Sequence, residues 1–403
     1  MVFALGFVLF AVGILISVAL HECGHMWAAQ ATGMKVRRYF VGFGPTLWST
    51  KRGETEYGLK AIPLGGFCDI SGMTALDEVP PEDLDRAMYR QATWKRVFVM
   101  SGGIAMNFVL GFVLIVVLAV GWGLPQLDAP PAADRAPVVG ALQCVSDELP
   151  DGTLAPCEGA GPAQTGGLQL GDEVTAVNGV AVSTWGEFTA ETRKHEGPIT
   201  YTVRRAGESL QVTVTPQKVL RYAEDGTSAD VSSVGVILEQ PRMEPYGFLP
   251  AIPAAASFTG DLFVRTFQAL AQMPAKVAAL WDAVTGGERD PETPVSIYGA
   301  SRIGGESAEA GVWEMFVLML ASLNFFLGAF NILPLLPLDG GHITVVLYEK
   351  IRNTIRGWRG LAPGGPVDYL RLLPVTYVAV VLGGAYMVLT LTADIVNPIR
   401  LFP

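Results

Sequence analysis

Four stretches of this 403-residue chain are long and apolar enough to cross a bilayer, and they limit its fold more than any other feature. They cover about 3–29, 97–122, 315–338 and 374–393, each close to the roughly 20 residues that a membrane-spanning helix needs. Hydrophobic residues make up 50% of the chain and charged residues 16%. That is too apolar for an ordinary soluble protein and too charged for spans alone, so at least one soluble domain is expected beside them. No basic residue precedes the first apolar stretch, which argues against a cleaved signal peptide.

Lysine and arginine set the expected orientation. Residues 32–96 carry ten of them and residues 339–372 carry five, so both segments are expected on the cytoplasmic side. Residues 123–312 hold twelve basic and twenty-four acidic residues and are expected outside the cytoplasm, as are both termini. The net charge of −10 is mostly the acidity of that segment. The basic residues are juxtamembrane, where anionic lipid and topology account for them, and no nucleic-acid partner is expected.

The first span ends in His21-Glu22-Cys23-Gly24-His25. On a helix, residues four apart share a face, so His21 and His25 can offer two imidazoles to one metal ion. Glu22 stands at the edge of that face, within reach of a water beside the metal. Ionisable groups are costly in hydrocarbon, and a cluster of them there points to function. A catalytic zinc site needs a third protein ligand. The candidate is Asp339, which follows an apolar helix interrupted by Pro334 and Pro337 and precedes Gly340 and Gly341. Irregular backbone at membrane depth is tolerated only where protein or a water cavity covers it. A carboxylate in such a place calls for a partner or a metal.

Asn324 and Asn331, seven apart, share one helix face, available either to a substrate or to interhelical packing. His342 reads as a turn residue or as support behind the ligands, and His195, within Arg193–Glu196, as a surface residue. Cys144 and Cys157 both fall in the expected exterior segment, where oxidation is allowed, and form a candidate disulfide. Cys23 points away from the histidine face, and Cys68 has no partner in view.

The His21–His25 motif, taken with Asn331-Ile332-Leu333-Pro334-Leu335-Leu336-Pro337-Leu338-Asp339-Gly340-Gly341, resembles the site-2 protease family of zinc intramembrane proteases. Four spans with one exterior insert resemble its bacterial branch, which cleaves anti-sigma factors. By this resemblance His21, His25 and Asp339 match the Zn2+ ligands and Glu22 the catalytic glutamate. Residues Phe40–Pro45 and Glu54–Phe67, with Lys51–Glu54 at the tip, alternate like a β-hairpin. In the family this corresponds to a membrane-reentrant hairpin, whose edge around Gly65 and Gly66 would pair with an unwound substrate. Gly102–Phe108 resembles a family glycine-proline-x-x-asparagine stretch without its proline.

In the exterior segment, a short helix before Gly166-Gly167 leads to a turn at Gly171-Asp172, a strand over Glu173–Val177 and an Asn178-Gly179 turn. A helix over Trp185–Arg193 and strands over Thr200–Arg204 and Leu210–Thr215 follow. This order resembles a PDZ domain, which binds extended peptides by strand addition.

The expected fold is a polytopic α-helical membrane protein with four transmembrane helices, a membrane-associated β-hairpin and an inserted extracytoplasmic PDZ-like α+β domain. Its expected divisions are the first span (1–31), the hairpin region (32–96), the second span (97–122) and the PDZ-like domain (123–243). A linker with an amphipathic helix over 257–284 (244–312), the third span with Asp339 (313–342), a cytoplasmic loop (343–372) and the fourth span (373–396) complete it. The resemblance implies an endopeptidase of the bacterial cell membrane, with its active site toward the cytoplasm. Its partners would be single-span substrates already trimmed outside, the lipid bilayer, and a peptide or protein at the PDZ-like domain. A metal transporter or a non-catalytic PDZ scaffold is the rival reading. No inverted repeat supports the transporter, and the scaffold needs neither Glu22 nor Asp339.

Overall fold

The computed structural model describes residues 1–127, 130–149, 154–222, 228–239, 243–287, 289–290 and 292–399. It divides into two compact units, one from residues 1–124 with the chain from 244 onward, the other from 125–243. In the first unit, helix α1 (Val2–Ala31) buries Gly6, Phe10, Ile14, Ser17, His21, Gly24 and Ala28. Their spacing of three or four residues makes one stripe, while Leu5, Val8, Val12 and Ile16 stay exposed. Strands β1 (Val36–Arg52) and β2 (Thr55–Ile70) form an antiparallel ribbon that folds back on itself, so that Val41 pairs with both Gly66 and Leu59. Gly42 and Gly44, at φ 91° and 81°, make the bend. Helix α2 (Thr93–Gly121) buries Val99, Gly103, Asn107, Gly111 and Ile115. It meets α1 backbone to backbone: a Cβ on Gly24 would stand 2.2 Å from the Gly102 carbonyl oxygen.

The second unit runs β3 (Val139–Leu142), α3 (Pro162–Thr165), β4 (Glu173–Val177), β5 (Val180–Ala181), α4 (Trp185–Arg193), β6 (Ile199–Arg205), β7 (Glu208–Val214), β8 (Gln217–Tyr222), β9 (Ser228–Ser233) and β10 (Val236–Leu238). Its main sheet has the order β5-β4-β6-β7, while β10 pairs with β3 and β8 with β9. Asn178 and Gly179, at φ 49° and 82°, give the β4–β5 turn the paired positive angles of type I′. Val174, Val177, Ile199, Tyr201 and Val203 point from the sheet onto Phe188 of α4, whose start carries a Thr184–Glu187 capping box. A disulfide joins Cys144 to Cys157. Under the sheet, Asp172 accepts from Arg205 Nε and Nη2, both at 2.7 Å, and from the Gln169 N–H at 2.8 Å.

The first unit resumes with α5 (Phe248–Gln272), α6 (Lys276–Val284), α7 (Ile297–Glu309), α8 (Trp313–Ile332), α9 (Asp339–Trp358) and α10 (Leu373–Val396). The linker expected over 244–312 is therefore mostly helical. The helix expected over 257–284 begins earlier, at Phe248, and divides around Pro274, whose missing N–H and bulky ring stop it. Gly304, Gly305 and Ala308 let α7 lie against Gly6 and Phe10 of α1. The third span does not run through to 342. α8 ends at Ile332 because Pro334 and Pro337 cannot continue it, and Asp339 opens a new helix that fills the loop expected over 343–372 as far as Trp358. The last helix, α10, buries only Thr390, Ala393 and Asp394, near its C-terminal end. There Asp394 is paired with Arg289 at 2.8 Å. Helices α1, α2 and α8, and the segment Tyr369–Val396 that contains α10, are long and apolar enough to cross a membrane.

Burial opposes the charge on Asp172, but Arg205 and the Gln169 N–H outweigh it and hold its carboxyl below the ordinary carboxylate range. A depressed folded pKa contributes stability above the unfolded value of about 3.9 and loses it as pH falls toward the folded value. Hydrogen-exchange protection of the β4, β6 and β7 amides is therefore expected to decline below about pH 5. Asp172→Asn is expected to lower that protection at neutral pH and to flatten its acid dependence.

Candidate metal centre

His21 and His25 lie one turn apart on the buried stripe of α1, with 8% and 5% of their surface exposed. Their Nε2 atoms are 3.2 Å apart. Asp339, the first residue of α9, brings its Oδ2 to 3.2 Å from each. A tetrahedral zinc with ligand bonds of 2.0–2.1 Å sets neighbouring donors roughly 3.3 Å apart. The three form a group able to hold a metal ion, and Asp339 Oδ2 is buried without a hydrogen-bond donor. A bare carboxylate oxygen facing two imidazole nitrogens in an apolar bundle is the environment a cation would satisfy.

The back of each ring settles which nitrogen is free. His25 Nδ1 donates to the Val99 carbonyl at 2.9 Å, leaving Nε2 with its lone pair. His21 Nδ1 lies 3.1 Å from the Asn107 amide nitrogen, while Asn107 Oδ1 is buried without a partner. Turning that amide over lets Oδ1 accept from His21 Nδ1–H, which frees His21 Nε2 as well. Gly103, one turn before Asn107, faces the same point. A Cβ there would stand 2.3 Å from His25 Nε2 and 2.8 Å from His21 Nε2, so only glycine leaves the space between the rings open.

The close fold of the 333–338 segment over α9 rests on Gly340 and Gly341. A Cβ on the first would meet the Ile332 carbonyl oxygen at 2.1 Å, and one on the second the Leu335 carbonyl carbon at 2.6 Å. The segment thus folds tightly over the start of α9. Further along α9, buried Glu349 pairs with Arg96 of α2 at 2.6 Å, which fixes α9 against the helix that carries Gly103 and Asn107.

Glu22 lies beside β2: a Cβ on Gly66 would touch its Cγ at 3.3 Å, and its carboxylate faces the Cys68 N–H. Gly65, at φ 133°, bends the strand next to it. Asn324 is fully buried and donates to Ser17 Oγ at 3.0 Å, one turn from His21, while its Oδ1 has no partner. Among the described residues, Asn331 donates only to the Leu327 carbonyl of its own helix. His342 is outside the three-ligand group and stacks on Tyr369, with Nδ1 3.2 Å from its hydroxyl. His195 belongs to the second unit and lies 3.4 Å from Glu191. Cys23 and Cys68 are free thiols packed against the α1–ribbon core. Sequence reasoning missed Val99, which acts through its backbone, and the Arg96–Glu349 pair, whose members are 253 residues apart. The four-residue spacing of Gly103 and Asn107 was the available sign of their shared face.

The model of peptidase family M50 matches residues 9–360. The zinc metalloprotease Rip1 of Mycolicibacterium smegmatis is 52% identical over 410 residues, covering 100% of both chains. Rip1 of Mycobacterium tuberculosis strain H37Rv is 52% identical over 407 residues, again with 100% of both covered. The chloroplastic membrane metalloprotease ARASP of Arabidopsis thaliana is 28% identical, over 86% of this chain and 71% of its own.

Gly103→Ala is expected to lower zinc content from about one per chain to near zero by elemental analysis, with helix content unchanged. Asn107→Ala is expected to weaken zinc binding by about 10–100-fold in chelator competition. Unchanged affinity would reduce Asn107 to a packing residue.

Proposed function

The chain belongs to peptidase family M50, the site-2 proteases, which are zinc metalloproteases, and on that premise we propose that it hydrolyses peptide bonds inside the membrane-spanning segments of other proteins. The observation that carries this is the trio of donors 3.2 Å apart, buried within a unit of membrane-length helices and flanked by Glu22. His21, His25 and Asp339 would hold the zinc, through Nε2, Nε2 and Oδ2. Bound there, zinc supplies an acidified water and a Lewis acid for the scissile carbonyl. Glu22 takes the proton of the attacking water and delivers it to the leaving amide nitrogen. The Val99 carbonyl and Asn107 amide keep both rings in the liganding tautomer throughout.

A transmembrane helix must unwind before its carbonyls can be reached. The β2 edge at Gly65 and Gly66, beside Glu22, offers backbone groups to pair with such an extended segment. Asn331 can hold a substrate carbonyl, whereas Asn324, fully buried and donating to Ser17 Oγ, serves to pack α8 against α1. The basic segments 32–96 and 339–372 support an orientation with the centre toward the cytoplasm. The unit of residues 125–243, with its strand-turn-strand and capped helix, fits a PDZ-like domain outside, where it takes an extended peptide or screens bulky proteins from the bilayer. Substrates are then single-span proteins shortened by an earlier exterior cut, with anti-sigma factors the first class to examine.

The test pairs Glu22→Gln with a co-expressed single-span substrate. Cleavage is expected to fall by at least about 100-fold while zinc content stays near wild type, and wild-type product termini should map inside the span. Full cleavage by the variant, or termini outside the span, would overturn the reading.

A further inference from the structure

The reaction leaves unused a cleft of about 670 Å³ between the middle of α9 and the segment 365–372 that leads into α10. One wall is the α9 face bearing Val345, Tyr348 and Arg352, three or four residues apart. The other is the segment 365–368 with Arg371 and Leu372. That segment is held in place rather than draped. The Val367 N–H donates to Glu349 Oε1 at 2.7 Å, the Gly364 N–H to Asn353 Oδ1 at 3.0 Å, and Arg352 to the Gly365 carbonyl. Glu349 is the residue that also pairs with Arg96, so the cleft shares its foundation with the helix that carries Asp339.

The cleft is amphipathic. Val345, Val367 and Leu372 line its apolar part. Arg352 lies over the Tyr348 ring at 5.9 Å and leaves Nη1 without a protein partner among the described residues. Arg371 is 87% exposed and pairs with Asp368 only through Nε, at 3.6 Å. The lining ends at Leu372, the residue before α10, and along the first three turns of that helix Val375, Val378, Val381 and Leu382 are 59–65% exposed. In a membrane helix those residues face acyl chains, which puts the two guanidinium groups at headgroup level.

We propose that this cleft binds the phosphate of an anionic phospholipid between Arg352 and Arg371, with the acyl chains along α10. Two guanidinium groups favour a lipid of net negative charge over a zwitterionic one, and their planar donors suit phosphate oxygens. The apolar floor suits glycerol and the first methylenes, which free phosphate lacks.

Native mass spectrometry of the full chain, released from nanodiscs of phosphatidylcholine with phosphatidylglycerol, tests this. Wild type is expected to retain phosphatidylglycerol selectively. The Arg352→Ala/Arg371→Ala variant should retain it about 30-fold less, at roughly the attraction expected of two basic residues. Lys350→Ala/Arg359→Ala removes the same charge from exposed positions outside the cleft and should keep wild-type retention. Arg352→Lys, paired with native Arg371, should keep more lipid than the double alanine variant if the fold is intact. Equal loss in both double variants would mean unspecific surface charge and overturn the proposal. So would displacement of the lipid by inorganic phosphate, which would make the site a phosphate site, or equal retention of phosphatidylcholine.

Discussion

Asp339 Oδ2 is the point around which the membrane unit is arranged. It is buried, takes no donor among the described residues, and faces two imidazole nitrogens at 3.2 Å. In hydrocarbon such a carboxylate is costly unless a cation answers it. Each neighbouring feature makes that answer available. The Val99 carbonyl and Asn107 turn the imidazoles the right way, Gly103 keeps their meeting point open, and Gly340 with Gly341 lets the broken chain deliver the carboxylate. Helices α1 and α2 reach this closeness because Gly24 and Gly102 put no side chain between their backbones.

Holding three ligands from two helices demands more than the ligands themselves. The buried Arg96–Glu349 pair fixes α9 relative to α2, and α2 is fixed to α1 by glycine contact. A buried pair of this kind adds little net stability, but losing one partner leaves an uncompensated charge. Its value here is geometric: it limits how far Asp339 can drift from the imidazoles. The ribbon supplies the remaining side, with Gly66 against Glu22 and the Cys68 N–H facing its carboxylate.

Much of this was legible in the chain. Four apolar stretches gave four long helices, and the turn residues Lys51–Glu54 and Asn178-Gly179 marked hairpins that formed where expected. The histidine pair read directly because a helix converts a four-residue spacing into a shared face. Asp339 could be suspected from a carboxylate stranded beyond two prolines. The continuation was harder. Those prolines were read as irregularities within one span, whereas they end α8 and let α9 start at the ligand itself. The early start of α5 was hidden by Pro245 and Pro250, which lie before the helix and in its first turn where no helical hydrogen bond is lost, and by Pro253, which the helix carries in its interior. Contacts made by backbone, such as Val99 to His25, leave no trace in residue type.

The last helix carries a mechanical consequence. α10 has 24 residues, about 36 Å at 1.5 Å per residue, against a hydrocarbon layer of roughly 30 Å. It is anchored near one end by Asp394 to Arg289, and its starting segment is joined through Tyr369 to His342, but its middle buries nothing. A rod clamped at its ends and unsupported between them takes up strain by bowing or tilting. A change in bilayer thickness would therefore deform α10 before it disturbed the glycine-locked crossing of α1 and α2. Lipid composition can reshape the periphery of this molecule while the spacing of its donors stays fixed.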